Sequence, residues 1–179
     1  MFMKLLEERR SIRKYKNQEI EGEKVQSLLQ AALLSPTSRG SQPWQFVQID
    51  DKDLLQELAE AKAGGSSFLA GATLAIVVAA DPEISDVWVE DCSIAATNIQ
   101  MEAVDLDLGS CWIQIRKRQR QDGSDSEEYV KDVLNLPNKL RVDSIIALGY
   151  PDEEKGKYDL DDLPYNKVHY NRYGHEVPE

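Results

Sequence analysis

The stretch "ATLAIVVAA" at residues 72–80 is apolar at every position except Thr73 and carries Ile and two Val in its middle. It is too short for the roughly 20 residues that span a membrane as a helix. An unbroken, β-branched run of this length reads instead as a strand buried on both faces. Such a strand needs a layer on each side. The flanking sequence supplies them.

Upstream, residues 3–10 read as a short helix. "EGEKVQSLLQAALLSP" follows, with Val25, Leu28, Leu29, Ala32 and Leu33 on one helical face and Pro36 as its stop. "SPTSRGSQPW" at 35–44 is a polar loop, and "QFVQI" at 45–49 alternates like a strand. "DKDLLQELAEA" at 51–61 is helical, with Asp residues placed to cap its start. Downstream, a long helix is expected over 87–106, with Gly109 in the position of a helix-ending glycine. "SCWIQI" at 110–115 is extended. Ser124 and Glu127 form a capping-box pattern that opens a helix to about Leu134. "VDSIIALGY" at 142–150 is a last strand. Residues 151–179 form a polar tail with four tyrosines and no period, expected to be an arm packed on something such as a second subunit. Interleaved helices and strands fit a three-layer sandwich, α+β or α/β, in a single domain over 1–179.

The chain of 179 residues has 21 Lys and Arg against 32 Asp and Glu, a net charge of −11. That balance argues against nucleic acid, which is bound through many cations facing phosphates. Yet "EERRSIRKY" at 7–15 crowds Arg9, Arg10, Arg13 and Lys14 around Ser11. Guanidinium forks and a hydroxyl match phosphate geometry. The same residues also fit a solvated helix end paired with Glu7 and Glu8. The first residues lack a signal peptide's apolar stretch, and Cys92 and Cys111 form no metal spacing or disulfide framework. A cytoplasmic protein without membrane contact is therefore expected.

Several chemistries lack their parts. No GxGxxG follows a strand, and there is no GxxxxGK[ST]. His169 and His175 are the only histidines and both lie in the tail. Without the side chains of nucleophilic, metal or triad catalysis, an enzyme of this sequence needs a bound cofactor for its hard chemistry.

Three segments in order, "ERRSIRKYKNQEI", "LLSPTSRGSQPWQF" and "LGSCWIQI", resemble the FMN-dependent nitroreductase family. "EDCSIAATNIQMEAVDLDLG", "SIIALGYPDEEK" and the closing "KVHYNRYG" extend the resemblance over nearly the whole chain. It implies an α+β fold: a three-layer α/β/α sandwich on a mixed, mostly antiparallel sheet, with 151–179 as an extended arm. It also implies a homodimer with FMN at the subunit interface. Arg9, Arg10, Ser11 and Arg13 match the motif that holds the phosphate, joined by Lys155 and Lys157. Pro36, Thr37, Ser38, Gly40 and Gln42 match the loop that approaches the flavin from the partner subunit. Trp112, Ile113, Gln114 and Ile115 match the segment along the isoalloxazine, with the Gln114 backbone N–H near N5. Trp44 is assigned to packing. No side chain is expected to be a general acid or base.

The implied activity is ping-pong hydride transfer from NAD(P)H through the flavin to a nitroaromatic, quinone or similar acceptor. Flavin reduction for a partner, dehalogenation, oxidase or dehydrogenase chemistry, and FMN binding without turnover are the alternatives. Arg39-Gly40 replaces the commoner polar-Asn pair of the loop. "IRKRQRQDG" at 115–123 puts a basic rim, Arg116, Lys117, Arg118 and Arg120, where many members carry small residues.

Overall fold

The computed structural model describes residues 2–176 and 178. Four strands form one sheet in the order β1-β2-β4-β3. They are β1 (Trp44–Ile49), β2 (Leu74–Ala80), β3 (Gly109–Gln114) and β4 (Arg141–Gly149). All three ladders are antiparallel. The expected mixed character reduces to an isolated parallel bridge between Ser11 and Ser110.

β2 is central, and all seven of its residues are buried. Its side chains alternate between two cores, as the pleat requires. Leu74, Ile76, Val78 and Ala80 pack on α2 (Gly22–Leu33) and α4 (Trp88–Asp105), with Leu28, Ala95 and Ile99 among their neighbours. Ala75, Val77 and Ala79 pack on α3 (Lys52–Leu58) and α5 (Ser126–Leu134), through Leu55, Leu58 and Val130. Each buried Val, Leu or Ile contributes about 1.5–3 kcal/mol of transfer free energy, so this strand ties the layers together. The unbroken apolar run and the three-layer sandwich are thus one fact. α1 (Phe2–Glu8) lies against α4.

Local readings hold where a side chain has one use. Asp51 caps α3, accepting the Asp53 and Leu54 N–H groups at 2.9 and 3.0 Å. Three readings need correction. α1 ends at Glu8, not residue 10, because the chain leaves the helix to run beside β3, where the Ile12 N–H donates to the Ser110 carbonyl at 3.0 Å. Gly109 does not end α4. Asp107 takes the left-handed position at φ 60°, and the Leu108 and Asp107 N–H groups close the last turn on the carbonyls of Ala103 and Val104. Gly109 opens β3, and a Cβ there would lie 2.8 Å from Ile12 Cγ2. The capping box also fails. Asp125 caps α5 through the Glu127 and Glu128 N–H groups, while Glu127 is buried and clasps the Arg141 guanidinium and the Val142 N–H. The pattern put an acid at the right spacing, and a stronger partner on β4 took it.

β4 carries a bulge at Asp143, which is skipped between the pairs Val78–Ser144 and Ala79–Val142. No helix among the described residues is long and apolar enough to cross a membrane.

Candidate functional site

The site begins with an unpaired sheet edge. β3 is an outer strand, and among the described residues nothing beyond the Ser11–Ser110 bridge pairs with its open side. Backbone groups alternate along a strand. Ser110 faces outward, since its carbonyl takes Ile12, whereas Ile115 turns inward to the Asp143 carbonyl. Trp112 and Gln114 therefore present their backbone groups to the open edge, and Ile113 to β4. The Gln114 side chain stiffens the end of this edge. Its Nε2 donates to the carbonyls of Arg116 at 3.2 Å and Asp143 at 3.4 Å, and its Oε1 accepts from Trp112 Nε1 at 3.0 Å. Ile113 and Ile115 are fully buried in the α3–α5 core.

Along this edge runs the N-terminal segment. Tyr15 fixes it: its hydroxyl donates to the Ile12 carbonyl at 2.6 Å, and its ring lies over Gly149, where a Cβ would come within 2.8 Å. Burial pushes the Tyr15 hydroxyl well above the usual phenol range, so it remains a donor. From the other side come residues 151–158. The Lys14 carbonyl accepts the Asp152 N–H, the Glu7 carbonyl accepts the Tyr158 N–H, and Lys155 Nζ donates to the Ser11 carbonyl.

The result is a cluster of cations: the Arg13 guanidinium at 3.4 Å and Lys155 Nζ both donate to the Ser11 carbonyl, beside Cys111. Burial raises the Cys111 thiol, and Arg13, the Ser11 contact, Lys155 and Arg9 pull it back in that order. Among the described residues neither Arg9 nor Arg13 forms an ion pair, and Lys155 has only Glu153 at 3.5 Å. Glu153 also accepts the Arg13 N–H at 2.5 Å. Arg10 and Lys157, grouped with these on sequence grounds, are engaged elsewhere. The Arg10 guanidinium donates to the Gly156 carbonyl and stacks on Tyr158 at 4.6 Å, and Lys157 faces Glu7 at 3.8 Å.

Two further residues, the cation Lys62 and the aromatic Phe68, carry no signal in the sequence. Lys62 is held below its usual range by burial and then by Arg118. Phe68 sits under the Arg13 guanidinium at 5.7 Å. Only folding brings the 62–68 turn to β3, so no local pattern signals it. The basic rim divides as well. Lys117 and Arg118 are exposed, while Arg120 lies on Tyr129 at 3.8 Å and pairs with Glu60 and Asp122. Arg116 stacks on Trp88 at 5.6 Å and faces Asp143. Burial pushes that carboxyl up to about 6, against the Ser144 hydroxyl and Arg116.

The polar loop lies elsewhere. Its turn at Ser38–Gly40 sits on the first turns of α4, where Asp91 Oδ1 accepts the Ser38 N–H at 2.8 Å. Thr37 Oγ1 accepts the Gln42 N–H at 3.0 Å; Pro36, Gly40 and Gln42 are exposed. Arg10 and Ser110 instead line an open groove of about 550 Å³ with Val104, near the other end of α4. Thirteen residues of helix separate Asp91 from Val104, about 20 Å at 1.5 Å per residue. One chain therefore holds the loop and the Arg10–Ser110 side of the edge at opposite ends of the same helix.

Fold and site together define an α+β sandwich with cations gathered beside an open sheet edge. A profile of the nitroreductase family matches residues 6–67 and 60–150. The chain belongs to the nitroreductase family. It is 37% identical over 164 residues to an Archaeoglobus fulgidus protein provisionally named an NADH dehydrogenase/NAD(P)H nitroreductase, covering 89% of this chain and 91% of that one. Among solved structures it is similar to an FMN-dependent nitroreductase from Clostridium difficile R20291, with a TM-score of 0.93 and 49% identity over 96% of this chain and 99% of that one. It also resembles the NADPH:FMN oxidoreductase from Vibrio harveyi complexed with NAD+, with a TM-score of 0.81 and 25% identity over 99% and 79% of the two chains.

Proposed function

We propose that the protein is an FMN-dependent NAD(P)H oxidoreductase acting as a homodimer, with residues 1–179 as one domain and 151–179 as its arm. Nitroaromatics, quinones or similar acceptors are its oxidising substrates. The carrying observation is the convergence of Arg13 and Lys155 on the Ser11 carbonyl, with Arg9 near enough to act on Cys111, at the end of a strand whose open edge offers backbone donors. A phosphate needs such cations, and a planar heterocycle with ring nitrogens and carbonyls needs such donors. The residues present therefore fit FMN, the cofactor for which the Clostridium relative is named.

Arg9, Ser11, Arg13 and Lys155 would hold the phosphate, with Lys62 and Arg118 adding positive potential. Trp112 and the backbone of Gln114 would line the ring. Bound FMN supplies the hydride chemistry between NAD(P)H and the acceptor. The chain's own residues bind, orient and shield, and no side chain is required as general acid or base. Arg10 and Lys157 serve the arm instead.

The separation along α4 supports a dimer, because a two-fold partner could bring its loop to this chain's cradle. The exposed apolar surface supports it. Phe2, Met3 and Leu34 are exposed on the body, and Tyr165, Val168, Tyr170 and Tyr173 on the arm, where His169 and His175 are exposed too. Free, buried Cys92 and Cys111 suit a reducing cytoplasm.

The test is Arg9→Ala combined with Arg13→Ala. Charge-assisted bonds are worth about 1.5–3 kcal/mol each, so FMN affinity should fall at least about a hundredfold while the far-UV spectrum stays. Unchanged flavin content in the double variant would contradict the assignment.

A further inference from the structure

The loop at 37–42 has an unusual backbone. Arg39 at φ 55°, Gly40 at φ 66° and Gln42 at φ 47° all lie in the left-handed region. Two of the three carry side chains that disfavour it. A polar loop adopts such a conformation only where the surroundings impose it.

The surroundings are two side chains of α4. Asp91 is 2% exposed. Its Oδ1 accepts the Ser38 N–H at 2.8 Å, and its Oδ2 accepts the Ser85 hydroxyl at 2.8 Å. Seven residues on, and so on the same helix face, Asn98 Nδ2 donates to Ser35 Oγ at 2.8 Å. Ser35 Oγ in turn donates to the Ala31 carbonyl, so the loop's entry is locked to the end of α2. A buried carboxylate is costly to desolvate and is kept where its bonds have a use. In an apolar helix stripe shared with Ala95, Asp91 breaks the packing pattern that Ala or Leu would continue.

We propose that Asp91 and Asn98 are positioning residues: from two turns of α4 they clamp residues 35–38 and preset the left-handed 39–42 turn for the flavin. The inference rests on the function proposed above. The loop's donors are then arranged before the ligand arrives, and little ordering entropy is lost on binding.

The experiment uses the full chain with Asp91→Ala, Asp91→Asn and Asn98→Ala. Val130→Ala, in the opposite core, is the control for general destabilisation. Amide exchange of residues 38–42 is measured without flavin, and FMN affinity by fluorescence titration. Asp91→Ala should speed exchange and weaken FMN by about tenfold or more, the range of a lost charged hydrogen bond. Asp91→Asn keeps an acceptor for Ser38 and should recover most of both. Asn98→Ala should change both in the same direction, and Val130→Ala should leave both near wild type. Wild-type exchange and affinity in Asp91→Ala and Asn98→Ala would overturn the clamp. A wild-type chain that fails to bind FMN would instead overturn the proposed function, and exchange alone would then decide the clamp.

Discussion

Gly109→Ala places one methyl group between β3 and the segment that carries the cations. Gly109 has no left-handed backbone to protect, so the effect is steric. The new Cβ would lie 2.8 Å from Ile12 Cγ2 and 2.9 Å from Ile12 Cβ, where ordinary contact begins at 3.4 Å. Ile12 must retreat by about 0.6 Å, and it is only 8% exposed, so it has little room. Overpacking of this kind typically costs about 1–3 kcal/mol. Moving Ile12 also strains its N–H bond to Ser110 at 3.0 Å, worth ~1 kcal/mol. A loss of roughly 2–4 kcal/mol is expected. Urea unfolding at fixed protein concentration measures it, because a dimer's stability depends on concentration. Ile12→Ala removes the obstacle at its own cost, so the double variant should be more stable than additivity allows by ~1 kcal/mol or more. Strict additivity, or a Gly109→Ala variant within about 0.5 kcal/mol of wild type, would refute the close approach.

Asp143 gives a pH signature. Its carboxyl is raised in the folded chain from 3.8 to about 6, so folding takes up a proton between those values. Stability should therefore fall as pH rises through that window, by up to ~3 kcal/mol at neutral pH. Asp143→Asn should match wild type near pH 4, exceed it near pH 8, and flatten the urea midpoint between; a variant with the wild-type slope would count against the buried charge. The arm gives another outcome. Removing residues 158–179 takes away exposed Tyr165, Val168, Tyr170 and Tyr173 and should shift the protein toward monomer in sedimentation, with weaker flavin retention. A truncated chain that remains a flavin-loaded dimer would remove the arm from the account.

The layers were legible because β2 is apolar throughout, and few folds bury such a run on both faces. The cation cluster was legible as a group but not in its division. Arg9 and Arg10 are equivalent in a motif; only the path beside β3 sets one toward Cys111 and the other on Tyr158. Gly109 was misread because a glycine after a helix serves two purposes, and the pairing with Ile12 spans almost a hundred residues of sequence. Glu127 was misread because a capping acid and an ion-pair acid share one spacing. Asp91 and Lys62 gave no local signal, since the Ser38 N–H that Asp91 accepts and the Arg118 charge that repels Lys62 arrive only with tertiary structure.

The central claim is that this chain binds FMN and passes reducing equivalents from a nicotinamide nucleotide. An absorbance spectrum of the purified protein, repeated anaerobically after NADH or NADPH is added, tests it most directly. Flavin bands are expected, present on purification or after FMN is supplied, that bleach with at least one nucleotide. A colourless protein that takes up no added FMN, or a flavin that neither nucleotide bleaches, would contradict it.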